Sequence, residues 1–149
     1  MLSLDSILQA VKISVEDRFP GETCYKNMVP TQFSRPSFLV EFVKSTMQDA
    51  SAHVLQVTAS IKVTAFVEVD AYYNSQVEDL ACRLISLQEL FCGCSIQAED
   101  RLIHFGTAQG SIPGLDFAEC TFEATYMDQR PSSTEAWPMV KTVNTNINL

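Results

Sequence analysis

Apolar and polar residues alternate without interruption between Leu55 and Tyr73. Every odd position in this range is apolar, and the even positions are mostly polar, with Phe66 and Tyr72 as exceptions. A period of two predicts a half-buried β-strand, and no Gly, Pro or Asn interrupts the range to permit a tight hairpin. The pattern therefore predicts one very long strand.

Such a strand would run on the order of 60 Å, whereas a compact domain of this size is roughly 40 Å across. Either a bulge folds the strand over its own sheet, or one end projects and pairs with another subunit. The pattern leaves both alternatives open, and the second one predicts an oligomer.

Two segments have helical spacing. The first, Leu4–Arg18, follows Ser3, which is a suitable N-cap residue. The second begins at a capping box formed by Ser75 and Glu78 and ends at Gly93. Its predicted buried stripe consists of Val77, Leu80, Ala81, Leu84, Leu87 and Phe91.

The other predicted strands are Glu22–Val29, Ser37–Val43, Cys94–Ala98, Arg101–Phe105 and Leu115–Met127. Between the last two, Gly106, Gly110 and Gly114 predict a flexible loop tip. Two helices separated by runs of strands predict an α+β fold: a mostly antiparallel sheet with both helices packed on one face.

Periodicity ends near residue 128. We therefore expect a single α+β domain over residues 1–128 and an extended C-terminal arm over residues 129–149. Within that arm, Trp137-Pro-Met-Val140 is an apolar island that an isolated disordered tail would not normally expose.

Composition fits one globular domain, since the chain has 149 residues and 46% hydrophobic content. The net charge is −8, and Glu68 to Glu123 holds ten acidic residues against only Arg83 and Arg101. An acidic chain disfavours binding of nucleic acid through basic patches. An ordinary solvated face explains the acidic excess equally well.

No residue pattern predicts catalysis, a cofactor or a metal. The five cysteines are odd in number and lie in apolar surroundings, which favours reduced core thiols. Neither His53 nor His104 lies in a nucleophile or ligand motif. The N-terminus lacks the features of a signal peptide and no apolar run reaches ~18 residues, so we expect a cytosolic protein that does not span a membrane.

A set of anchor residues accompanies the long alternating strand and the capped helix. These anchors are Phe19-Pro20, Tyr25, Arg35-Pro36-Ser-Phe-Leu-Val-Glu-Phe42, Ala124-Thr-Tyr-Met-Asp128 and Pro138-Met139. With this order of elements, the chain resembles the tail terminator family of phages and prophages of Gram-positive bacteria, and the resemblance covers about Leu4 to Lys141.

The resemblance implies a structural subunit of the virion tail, assembled in the host cytoplasm, with no catalytic site. Such subunits form a homo-oligomeric ring, here expected to be a hexamer, on the end of the tail tube. The ring stops tube polymerisation and provides the surface on which the head connector docks; contractile particles also engage sheath there. DNA passes through the lumen without specific binding.

We expect interface roles for Phe66, Tyr72, Trp137, Met139 and Val140. Glu119 and Glu123 share the non-core face of the last strand and are candidates for the lumen wall, because carboxylates repel DNA.

Two other classes stay open. A head–tail connector or another tail-assembly protein would bind a different partner, which pull-down against tube protein and portal-side protein would separate. A small cytosolic enzyme or ligand-binding domain would instead be a monomer with a deep polar pocket.

Overall fold

A computed structural model describes residues 1–131 and shows two helices and six strands. The elements, in chain order, are α1 (Leu4–Arg18), β1 (Thr23–Lys26), β2 (Ser37–Asp49), β3 (Val54–Phe66), α2 (Val77–Phe91), β4 (Ser95–Ala98), β5 (Arg101–Ser111), a 3-10 turn (Pro113–Leu115) and β6 (Ala118–Gln129). The predicted interface residues Trp137, Met139 and Val140 lie outside the described residues.

The strands form one mixed sheet in the order β1-β2-β3-β6-β5-β4. β1 pairs with β2 in parallel, and the other four neighbouring pairs are antiparallel. β2, β3 and β6 are adjacent in this order and are each 12 or 13 residues long, and β3 and β6 are the two central strands. The α+β class predicted from the sequence is confirmed.

α1 lies against β1, β2 and β4, whereas α2 lies against β3, β5 and β6. Both helices contribute to the same apolar core as one face of the sheet. Phe91 stacks on Phe122 with ring centroids 4.3 Å apart, and Phe105 meets Phe122 edge-on at 4.8 Å. We call the opposite face the helix-free face; its central residues are Gln56, Thr58, Lys62, Glu119, Thr121, Glu123 and Thr125.

The prediction of one very long strand from Leu55 to Tyr73 is wrong, since β3 ends at Phe66. The side chain of Asp70 accepts hydrogen bonds from the backbone N–H groups of Tyr72 (2.8 Å) and Asn74 (2.9 Å), and these bonds turn the chain. At 13 residues, β3 spans roughly 43 Å. It therefore need not overhang the domain, and the strand-length argument for an oligomer fails.

Two other strands are longer than predicted. β2 continues past Val43 to Asp49, and β5 continues past Phe105 to Ser111. Gly106 and Gly110 consequently lie in β5 and not in a loop tip. A Cβ atom on Gly110 would lie 2.6 Å from Cδ1 of Leu84, so a larger residue at this position would force the Leu84 side chain to shift.

The start of α2 also differs from the prediction. Its N-cap is Gln76, which makes no side-chain cap bond, and the Ser75 hydroxyl instead donates to the carbonyl of Asp116 at 2.8 Å. Leu80, Leu87 and Phe91 are buried as expected, whereas Val77 is exposed and Leu84 is only partly buried. α1 has its predicted bounds, and its Ser3 cap is confirmed.

Candidate functional site

The outer edge of β2 changes character along its length. β1 pairs only with Ser37–Val40, and no strand among residues 1–131 pairs with β2 on that side beyond Asn27, whose N–H donates to the carbonyl of Val40. In the segment Glu41–Asp49, the backbone N–H and C=O groups that point away from β3 therefore have no strand partner among residues 1–131. We call this segment the distal edge of β2.

The distal edge also exposes apolar side chains. Phe42 is 37% exposed, Val43 49% and Met47 55%. An exposed strand edge with apolar side chains is a surface that natural proteins cover, either within the chain or with a partner. The distal edge therefore has both the hydrogen-bonding groups and the apolar area that another strand could bind.

A bulge and a lysine limit the strands that can pair with this edge, and contacts of Arg130 fix its far end. The pairing of β2 with β3 shifts register between Phe42 and Lys44, so Val43 forms a bulge. A bulge and a lysine both limit indiscriminate edge-to-edge pairing. At the far end, Arg130 forms an ion pair with Asp49, and its N–H donates to the carbonyl of His53 at 2.9 Å. The hairpin that carries the edge is thus tied to the end of β6.

The same end of the sheet is also tied to the N-terminus. The buried Asp128 accepts hydrogen bonds from the backbone N–H of Leu2 (2.7 Å) and from the Arg101 guanidinium (2.8 Å). Although burial by itself raises the pKa of Asp128, these donors and the N–H of Gln129 hold that pKa below its ordinary value. Asp128 is therefore a charged structural anchor at neutral pH.

The predicted interface residue Phe66 lies at the opposite end of the sheet. Its ring is 4.8 Å from that of Phe33 and 6.2 Å from that of Phe117, and the guanidinium of Arg35 lies over it at 5.5 Å. The side chain is half-buried. Much of its apolar surface is thus used within the subunit, where it contacts the loop after β1 and the loop before β6.

Tyr72 is displayed on a well-braced loop beyond β3. Tyr72 and its neighbour Tyr73 are both 84% exposed. The backbone N–H of Asn74, and then that of Tyr72, lower the pKa of Asp70, and the Tyr73 N–H donates to the Asp70 carbonyl. Because the loop is already ordered, contact by these tyrosines would cost little conformational entropy.

Glu119 and Glu123 lie on the helix-free face, four residues apart on β6, with Thr121 between them on that face. Lys62 is 3.4 Å from Glu119 and 3.7 Å from Glu41, so it partly compensates their charge. Glu123 is exposed and borders a polar concavity of about 440 Å³, lined by His104, Gly106, Thr107, Gln109, Thr121, Phe122, Glu123 and Thr125. The lining of this concavity carries mainly hydroxyl and amide groups and few charges.

The prediction that the five cysteines are core thiols holds for Cys24 and Cys120, which are buried, but is wrong for Cys82 and Cys92, which are exposed. Burial raises the pKa of Cys24 and of Cys120 to about 12, so both thiols are protonated and inert at neutral pH. Among residues 1–131, no three His, Cys, Asp or Glu side chains are grouped so that they could hold a metal ion. In the same range, no helix is long and apolar enough to cross a membrane.

Sequence reasoning missed most of the distal edge, because the predicted strand ended at Val43 whereas β2 continues to Asp49. The second half of β2 is exposed on both faces, so it lacks the alternation that marks a half-buried strand. The only indication of this exposed edge in the sequence was the spacing of the apolar residues Val43 and Met47 among polar residues.

Comparison with protein families gives a match over most of the chain. A family model described as phage tail terminator protein matches residues 6–136, a span that includes α2 and all six strands. No curated protein matches the chain.

Proposed function

The chain belongs to the phage tail terminator family, and from this premise we propose that its subunits close into a ring, a hexamer, on the end of the tail tube. Family membership makes the protein a structural component of the phage tail. In our proposal the ring stops tube polymerisation and presents the surface on which the head connector docks, and sheath binds there in a contractile particle. The ring assembles in the host cytoplasm.

The distal edge of β2 is the observation that supports a ring. A ring needs a heterologous contact, in which one surface of a subunit meets a different surface of the next. The distal edge lies at one side of the sheet and differs from the surfaces of β5 and α2 at the other side. A contact at this edge would bury Val43 and Met47 and satisfy the open backbone groups.

If the subunits join through this edge, the two faces of the sheet point to the inside and the outside of the ring. We propose that the helix-free face lines the lumen, where Glu119 and Glu123 were expected. Its hydroxyl, amide and carboxylate groups would let DNA pass without binding, because few cations are available to hold phosphate. In this arrangement Tyr72 and Tyr73 lie at one end of the subunit, where tube or connector would dock.

The ring is tested by light scattering and negative-stain microscopy on the full chain and on Met47→Lys. We expect rings for the full chain and monomers for the variant, because a lysine inside the interface would be buried without a partner. Ile13→Lys is the control, since Ile13 is 48% exposed but lies on α1, outside both the distal edge and the surfaces of β5 and α2. If Met47→Lys still forms rings, the distal edge is not part of the interface. If the full chain is monomeric under all conditions, the proposed ring is wrong.

Docking is tested separately by pull-down with tube protein and with portal-side protein. A terminator binds tube ends, whereas a head–tail connector binds only the portal side. Replacing Tyr72 and Tyr73 with serine should weaken the tube or connector contact but leave rings intact.

The lumen assignment is tested in particles that carry Glu119→Lys and Glu123→Lys. We expect normal assembly but slower DNA ejection that recovers as salt is raised, because phosphate binding is screened by salt. Normal ejection at low salt would refute the lumen assignment alone.

A further inference from the structure

A single lysine lies at the centre of the helix-free face, between two carboxylates. Lys62 is on β3, one of the two central strands of the sheet. Its Nζ atom is 3.7 Å from Oε1 of Glu41 on β2 and 3.4 Å from Oε1 of Glu119 on β6. The three side chains therefore connect three adjacent strands, and together they carry one negative charge.

The register of the strands brings these three residues together. Glu41 lies directly opposite Lys62 in the pairing of β2 with β3. In the pairing of β3 with β6, Lys62 lies opposite Thr121, two residues from Glu119. Opposite and diagonal neighbours are both within reach of long side chains. The three side chains are only 25% to 33% exposed, so salt screens their contacts less than those of a fully exposed pair.

Two other charged residues of this face have a different environment. Glu123 follows Glu119 on the same face of β6, and Lys44 lies opposite Ser60 at the distal edge of β2. Both are exposed, and neither forms an ion pair within residues 1–131. The lysine at the centre of the face is thus paired with two acids, whereas the lysine at its edge is open to solvent.

We propose that Glu41 and Glu119 mask Lys62: they occupy its ammonium group, so that the centre of the helix-free face does not bind DNA phosphate. This inference rests on the proposed function, which makes DNA the polyanion that passes this face. A free lysine binds phosphate as a point charge and gains from the release of DNA counterions. Lys62 would first have to lose a carboxylate, and the net negative charge of the three side chains opposes the approach of phosphate.

Full-length variants separate masking from general repulsion by acidic residues. Glu41→Gln/Glu119→Gln removes both carboxylates from Lys62 but keeps the size of the side chains. Glu89→Gln/Glu123→Gln is the matched control, because it removes the same charge from two exposed residues without an ion pair in the described part of the chain. Adding Lys62→Met to the first variant removes the lysine itself.

Binding is measured at low salt from the Cε signals of ¹³C-labelled lysines during titration with a short DNA duplex, which reads the side chain whether or not rings form. The Lys62 signal is the one that Lys62→Met removes. We expect it to move in Glu41→Gln/Glu119→Gln and to return as salt is raised. It should not move in the unmodified chain or in the matched control. Glu119→Gln alone should give a smaller movement, which keeps the test valid if the double variant does not fold.

Three results would overturn the masking: a Lys62 signal that moves in the unmodified chain, one that moves equally in the matched control, or one that does not move when the carboxylates are removed. Particles then test the location of this face. Ejection of DNA should be slower with Glu41→Gln/Glu119→Gln and normal again when Lys62→Met is added. If the Lys62 signal moves as expected but ejection is normal in all particles, the masking stands and the helix-free face does not line the lumen.

Discussion

The two halves of β2 have opposite environments within one strand. Ser37–Val40 is buried at every position, whereas Phe42–Asp49 is exposed at every position. The first half has β1 on one side, β3 on the other and α1 against it. The second half has β3 on one side and no other strand of residues 1–131 on the other.

In the proposed ring, one strand would serve both folding and assembly. The bulge between Phe42 and Lys44 marks the place where the strand leaves the subunit core. Residues before it should determine stability, and residues after it should determine association with little effect on stability. Substitutions in each half can separate the two roles.

The largest expected effect is that of Phe38→Ala in the buried half. Phe38 is fully buried, and its ring centroid lies 4.6 Å from that of Phe19. Removing it leaves a cavity, so the free energy of unfolding should fall by ~3–5 kcal/mol in urea denaturation. Phe42→Ala, at a partly exposed position, should cost less than half as much. Equal losses at the two positions would contradict the division of β2.

Asp128→Asn tests the anchor that holds the end of β6 near the distal edge. Loss of the charged hydrogen bonds to Leu2 and Arg101 should lower the free energy of unfolding by about 2 to 3 kcal/mol near neutral pH. Because the pKa of Asp128 is depressed in the folded state, its contribution is present above the unfolded pKa and is lost as pH falls through the folded value. The variant and the unmodified chain should therefore become alike in strong acid; a constant difference at all pH values would exclude the charge as the cause.

Gly110→Ala tests the opposite side of the sheet, where α2 covers β5. The added Cβ would collide with Leu84, so we expect a loss of ~1–3 kcal/mol in thermal or urea unfolding. Leu84→Ala should relieve the collision, and the double variant should lose less than the sum of the single losses. Strict additivity would show that Leu84 is not the residue that excludes a side chain at position 110.

Tyr73→Asn should have a small effect of the opposite sign. Tyr73 has a φ of 62° and is almost fully exposed, a conformation that asparagine tolerates better than tyrosine. We expect a gain of about 1 kcal/mol in the free energy of unfolding, while Tyr72→Asn should be neutral. A loss of stability would show that the tyrosine ring packs on the subunit.

The smallest effect on stability is expected for Met47→Lys in the exposed half. Its free energy of unfolding should stay within ~0.5 kcal/mol of that of the unmodified chain, measured at a concentration where both are monomeric. A larger loss would mean that Met47 belongs to the subunit core, and the variant could then no longer report on association alone.

Side-chain periodicity was informative only where one face of a strand is buried. It located β3 up to Phe66, but the alternation continued through Val67 and Val69 into a loop that the side chain of Asp70 turns. It also located α1 and most of the buried stripe of α2, because amphipathic helices carry their own period.

Other features depended on contacts between distant residues. In the sequence Gly110 resembles a loop residue, whereas in the structure it lies in β5 where the side chain of Leu84 packs closely against it. Ser75 has the spacing of a capping residue, yet its hydroxyl bonds to Asp116, 41 residues away. The distal edge of β2 was not predictable for the same reason, since its exposure depends on where β1 ends.

Amide hydrogen exchange along β2 tests the central claim most directly. At dilutions where the full chain is monomeric, we predict slow exchange for Phe38–Val40 and fast exchange for the outward-facing amides of Lys44–Asp49. At concentrations where rings form, the amides of Lys44–Asp49 should become protected, and those of Phe38–Val40 should not change. Fast exchange of Lys44–Asp49 in the assembled ring would contradict the account, because the distal edge would then be uncovered in the very state that it is proposed to build.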